Sequence, residues 1–163
     1  LKGFKIKLFI ASLPAAGRSL PFYCRPLYLK AIHNLKLKSE NEFIMASIKE
    51  LLSMIPSSLR KRIILLGDRQ FGTKRFIRFF KEEGIGFIVR VKKNLYIKER
   101  GRVLKSGELR KGKYVVEIEG EKYYLYIREE RKEKLILVSN CEKTNSFKAS
   151  RKYLKRSYCE QMH

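Results

Sequence analysis

Hydrophobic and polar positions along the 163-residue chain change period several times, and each change marks an element. Over residues 4–12, Phe4, Ile6, Leu8 and Ile10 alternate with Gly3, Lys5, Lys7 and Phe9, the period of two of a half-buried strand. A second strand-like run covers residues 18–25, and the intervening PAAG is a Pro/Gly turn, so an antiparallel hairpin is expected. Ser39, with Glu42 three residues on, forms a capping box, after which Ile44, Ile48, Leu51, Leu52 and Ile55 recur at helical spacing as far as Pro56. That stripe reads as core packing. Residues 63–66 are an unbroken apolar run, the look of a strand buried on both faces, and they lead into Gly67-Asp68. The acid therefore falls at the strand's carboxyl end. Residues 73–83 predict a helix with Phe76, Ile77 and Phe80 on one side and Gly84 as its C-cap; Ile85, Phe87, Val89 and Val91 then alternate as another strand. Strand, helix and strand in this order imply a right-handed parallel crossover.

Residues 95–139 change character. YVVEIEG, KYYLYIRE and EKLILVSN are three short strand candidates rich in β-branched and aromatic residues, with turns at Gly101, Gly107, Gly112 and Gly120. The segment reads as a β-rich insertion. Residues 140–150 are polar and loop-like, and a final helix is expected to begin near Ser150. The fold class is thus α/β in a single domain: a mixed sheet with flanking helices, in which ligand sites lie at the carboxyl ends of strands.

Charge narrows the partner. The 38 Lys+Arg against 16 Asp+Glu give a formal net charge of +22, spread along the whole length. Nucleic acid is the expected partner, because each phosphate neutralised by Lys or Arg releases condensed counterions. The alternative is a solvated basic surface of the kind found in proteins from hot environments, but that habit enriches both signs of charge. LKGFKIKLFIASLPAAG superficially resembles a secretory signal, yet its alternation is that of a strand and its apolar run is too short for a span, so no membrane is expected and a cytoplasmic, nucleoid-associated protein is. Leu1 is not expected to be a native start. Cys24, Cys141 and Cys159 are odd in number and never form a CxxC pair, which indicates neither a disulfide framework nor a zinc site.

The candidate chemistry rests on few residues. Asp68 is the only aspartate in the chain, and on its own an Asp after Gly at a strand end is a turn former. Near the C-terminus, Tyr153, Arg156 and Glu160 stand at offsets of zero, three and seven. At about 100° per residue they project at roughly 0°, 300° and 340°, one face of one helix. Of the nine tyrosines, only Tyr153 has an Arg three residues later. Taken alone the stripe is explained by packing and by an Arg156–Glu160 pair at i,i+4.

Together, LLGDRQFG and YLKRSYCE resemble segments of the DDE transposases of bacterial and archaeal insertion sequences, whose catalytic domain is ribonuclease-H-like. The first looks like the surroundings of that family's second catalytic aspartate. The second is similar to its Tyr-x2-Arg-x3-Glu-x6-Lys motif, which holds the third acid, and GRSLPFY looks like its third core strand. The resemblance covers essentially the whole chain. It implies DNA transposition by in-line displacement at phosphorus, with two Mg²⁺ or Mn²⁺ ions roughly 4 Å apart stabilising the attacking and leaving oxygens. By the family pattern Asp68 and Glu160 are catalytic metal ligands, while Tyr153 and Arg156 grip double-stranded DNA near the scissile phosphate, Arg through its bidentate fork. The partners implied are transposon ends and target DNA. Members of the family usually act as dimers, so a homodimer is among the expectations.

Two departures shape the expectation further. The family's first aspartate lies on a strand before the hairpin, and no second Asp exists here; the Lys seven places after Glu160 would fall four residues past His163. The chain is therefore expected to be a fragment lacking the first core strand, to fold poorly alone because strand edges are unpaired, and to be inactive alone. The alternative function is a non-catalytic basic DNA- or RNA-binding protein, derived from a transposase or unrelated to one, in which aromatics such as those of KYYLYIRE stack on bases.

Overall fold

The structure is a computed structural model describing residues 6–15, 18–28, 39–129, 133–142 and 146–155. The described residues form two compact units, one within Leu1–Ser57 and the other Ser58–Arg156.

In the first unit, strands β1 (Ile6–Ala15) and β2 (Arg18–Tyr28) pair antiparallel as the alternation predicts, with a bulge where the register shifts between Ala11 and Ser12. The alternation does not predict which side is covered. Leu8, Ile10, Leu20 and Phe22 are exposed, and the half-buried side carries Phe9 and Tyr23, whose rings meet edge to face at 6.0 Å. Helix α1 (Glu40–Ser53) starts where the capping box puts it, with the Ser39 hydroxyl accepting from the Glu42 N–H. Arg25 of β2 links the two elements, pairing with Glu50 at 2.5 Å and lying over the Phe43 ring.

The second unit is built on a seven-stranded mixed sheet of order β3-β4-β9-β8-β7-β5-β6. After a short helix α2 (Ser57–Arg60), β3 (Ile64–Gly67) runs through α3 (Lys74–Glu82) to β4 (Gly86–Arg90), and the two strands pair parallel, the crossover expected from the sequence. Gly84 closes α3: it adopts φ +66, its N–H bonds the Lys81 carbonyl, and the Ile85 N–H bonds the Phe80 carbonyl. Those two bonds make a Schellman motif.

Burial on both faces belongs to β4 and not to β3. Phe87, Ile88 and Val89 are all fully buried, whereas Ile64 is exposed and Leu65 and Leu66 are only partly covered. The reason is position, since β4 lies between β3 and β9 while β3 is an edge of the sheet among the described residues.

Residues 95–139 are β-rich as read, and they continue the same sheet, because β9 (Lys134–Ser139) pairs antiparallel with β4. β7 (Gly112–Ile118) and β8 (Glu121–Glu129) are joined by the two-residue turn Glu119-Gly120, both with positive φ. The sequence reading misses one hairpin, β5 (Tyr96–Glu99) and β6 (Arg102–Lys105), closed in the same way by Arg100-Gly101. Positive φ at both central positions is the type I′ pattern, whose twist suits a tight hairpin.

Two helices cover the sheet. Against α3, a run of rings Phe76, Phe80, Phe87 and Tyr123 forms one layer, with successive centroids 5.8, 5.5 and 6.1 Å apart. Against α4 (Ser146–Leu154), which starts four residues earlier than Ser150, the other layer holds Ile88, Tyr124, Tyr126, Leu135, Leu137, Ala149 and Tyr153, with Leu66 packed beside it.

Candidate active site

The GDRQFG segment forms the turn that leaves the carboxyl end of β3. The Asp68 carbonyl accepts from the Phe71 N–H, the Arg69 carbonyl accepts from the Gly72 N–H, and Asp68 Oδ1 accepts from the Gln70 N–H at 2.9 Å. Asp68 is thus an Asx-type turn former, and Oδ2 has no hydrogen-bond partner among the described residues. Both glycines are needed for close approach. A Cβ on Gly67 would meet Phe71 Cβ at 2.8 Å, and one on Gly72 would lie 2.0 Å from the Arg90 carbonyl oxygen. The turn is therefore folded tightly onto the end of β4.

Register and pleat give Asp68 its surroundings. Leu66 pairs with Ile88 and Gly67 with Val89, so Asp68 and Arg90 are each the next residue in the chain after the last registered pair. Leu66, two residues before Asp68, packs with the α4 layer. Glu133, the residue before β9, takes two guanidinium groups, one of them from the residue that follows Asp68: Arg90 Nη2 lies 2.5 Å from Oε1 and Arg69 Nη2 2.7 Å from Oε2. The Arg90 hydrogen bond and charge, helped by Arg69, hold the Glu133 carboxyl below its usual value.

Of the four residues read from the sequence, Asp68 and Tyr153 are described, and Arg156 and Glu160 lie outside the described residues. Tyr153 is 4 % exposed, and its ring is a core residue of the α4 layer. Arg90 and Glu133 are not found by sequence reasoning. They are 43 residues apart in the chain and meet through the fold, where Glu133 also holds Arg69, the residue after Asp68. Among the described residues no group of three His, Cys, Asp or Glu side chains could hold a metal, and no helix is long and apolar enough to cross a membrane.

The family model of the Transposase DDE domain matches residues 30–162, which takes in the hydrogen-bonded turn at Asp68 and the Tyr-Arg-Glu segment alike. The chain belongs to that family. Membership carries transposition as the family's activity, DNA as its substrate and divalent metal ions as its usual cofactors. A comparison with curated proteins finds no match.

Proposed function

We propose that this transposase-family chain contributes part of a ribonuclease-H-like catalytic face that cuts and joins insertion-sequence DNA ends, with Asp68 and Glu160 as metal ligands. The observation that supports the reading is the position of the chain's only aspartate at a strand's carboxyl end, two residues past Leu66, which packs with α4, the helix that precedes Arg156 and Glu160 in sequence. The whole of residues 1–163 is read as one catalytic domain in which 95–139 is the β-rich insertion.

Asp68 suits a hard divalent cation. It offers a carboxylate oxygen at a partly exposed strand tip, and its other oxygen is fixed by the Gln70 N–H, so the ligand is held in place before any ion arrives. Two Mg²⁺ or Mn²⁺ ions, when bound, would supply charge stabilisation for the attacking and leaving oxygens. Arg156 is assigned to a phosphate oxygen near the cut, where its planar fork can bond twice. Tyr153 serves that contact indirectly: its buried ring anchors the last turn of α4 ahead of Arg156. The excess of 22 positive charges draws the chain to duplex DNA, as transposon ends and as target, and a homodimer would bring two ends together.

The test is binding of double-stranded DNA with and without Mg²⁺. Catalytic carboxylates predict a metal-dependent gain in affinity that Asp68→Ala and Glu160→Ala each remove. Salt-sensitive binding indifferent to Mg²⁺ and to both substitutions would instead establish a non-catalytic DNA-binding protein.

A further inference from the structure

Two arginines flank Asp68 and neither is paired with it. Arg69 follows it directly in the turn, and Arg90 follows Val89, the register partner of Gly67, on the neighbouring strand β4. Either side chain is long enough to swing onto the Asp68 carboxylate. A guanidinium seated there would occupy the oxygens that a cation needs and would repel the cation by its own charge. Glu133 prevents this. Each of its two oxygens holds one of the guanidinium groups, at 2.5 Å for Arg90 and 2.7 Å for Arg69, and both bonds are made from a third segment, the residue that leads into β9.

We infer that Glu133 is a positioning residue for the Asp68 metal site, keeping Arg69 and Arg90 off the aspartate and neutralising their charge beside it. This rests on the reading of Asp68 as a metal ligand. Glu133 touches no reacting atom; its effect passes through the two arginines. The geometry also divides the labour between them. Arg90 has only 19 % of its side chain exposed and springs from a buried strand, so it is confined, whereas Arg69, half exposed on a turn, is the one free to move when Glu133 is lost. Arg69 is therefore the competitor that matters.

The experiment is a titration of the full chain with Mn²⁺ alone, followed by water-proton relaxation, with DNA absent so that phosphate contacts do not enter. Glu133→Gln, which keeps the shape and removes the charge, is expected to weaken Mn²⁺ binding by about five- to tenfold, the scale of one unscreened charge beside a partly exposed site. Adding Arg69→Gln to Glu133→Gln should return the affinity to within about twofold of the unaltered chain, a rescue that a purely structural role for Glu133 would not give. Arg69→Gln alone should not weaken binding, and this arm stands even if Glu133→Gln folds badly. Unchanged affinity in Glu133→Gln, failure of the rescue, or weakening by Arg69→Gln alone would overturn the inference while leaving Asp68 as a ligand. If Asp68→Asn leaves Mn²⁺ binding untouched, the metal reading of Asp68 falls, and this inference with it.

Discussion

The side chain of Asn140 completes the hydrogen bonding of β4 where the backbone of β9 stops: its Oδ1 accepts from the Phe87 N–H at 2.9 Å, and its Nδ2 donates to the Ile85 carbonyl at 2.8 Å. Ser139 is the last residue of β9 in register, opposite Ile88, so Asn140 takes over one step later with an amide of the same donor–acceptor pattern as a peptide. Asn140→Ala would leave the Phe87 N–H of β4 and the Ile85 carbonyl just before it without these partners. The expected loss is about 1–3 kcal/mol in urea unfolding. Asn140→Asp keeps the acceptor but sets a second oxygen against the Ile85 carbonyl, and it is expected to be no more stable than the alanine variant.

Gly72, which closes the Asp68 turn, and Gly84, which ends α3, should respond differently to a methyl group. At Gly72 a Cβ would sit 2.0 Å from a backbone oxygen of β4, and that atom cannot move without shifting the strand. At Gly84 the φ of +66 is strained for alanine, but nothing lies within 4 Å. Gly84→Ala is expected to cost about 1–2 kcal/mol, the left-handed penalty alone. Gly72→Ala should cost more than that, and its effect should extend to the Asp68 turn, seen as faster hydrogen exchange at the Phe71 and Gly72 amides. Equal costs at the two sites would show that the turn is not braced on β4.

How much of this was legible in the chain depends on how local each cause is. The hairpin, α1, the β3–α3–β4 crossover and the strands β7 to β9 announce themselves through periods and caps that a few neighbouring residues carry. The β5–β6 hairpin does not, because its strands are four residues each, two of them charged in either strand, too short for a period to register. The exchange of burial between β3 and β4 is not local either: an apolar run cannot say whether a strand will have neighbours on both sides. For the candidate site, the place of Asp68 at a strand end could be read from the apolar run before it, but the spacing of Tyr153 to Arg156 does not reveal that its ring is a core residue. The Arg69–Glu133–Arg90 cluster could not, since its partners lie 64 and 43 residues apart and meet only through the register.

Phe80 should be the most sensitive position of the α3 layer. It is fully buried, its ring lies near those of Phe71, Phe76, Phe79 and Phe87, and its carbonyl accepts the bond that closes the helix at Ile85. Phe80→Ala removes the centre of that ring cluster and is expected to cost about 3–5 kcal/mol. Phe80→Leu retains much of the volume and should cost visibly less. The comparison is made by denaturant midpoint at constant slope; a cost for Phe80→Ala no larger than that for an exposed residue such as Met54 would contradict the packing described.

Alkaline pH tests the α4 layer. Tyr126 is 1 % exposed, donates its hydroxyl hydrogen to the Cys141 carbonyl at 3.1 Å, and burial pushes its ionisation up from 10.0 to about 12, with Cys141 and Tyr124 adding to the shift. The unfolded chain releases this proton at the ordinary value, so between about pH 10 and about pH 12 the unfolded state binds fewer protons than the folded one. Stability from Tyr126 is therefore complete below about pH 10 and is lost as the pH rises through the folded value, by up to about 1.4 kcal/mol per pH unit. Tyr123 and Tyr124 are shifted in the same direction, also chiefly by burial, and steepen the fall. In Tyr126→Phe the hydroxyl bond is gone, so the variant should start about 1 kcal/mol less stable at neutral pH but lose less stability on the alkaline side. Urea unfolding at about pH 9 and about pH 11, read beside tyrosinate absorbance, checks both parts. An alkaline loss as steep in the phenylalanine variant as in the parent would mean that Tyr126 does not hold its proton in the folded chain.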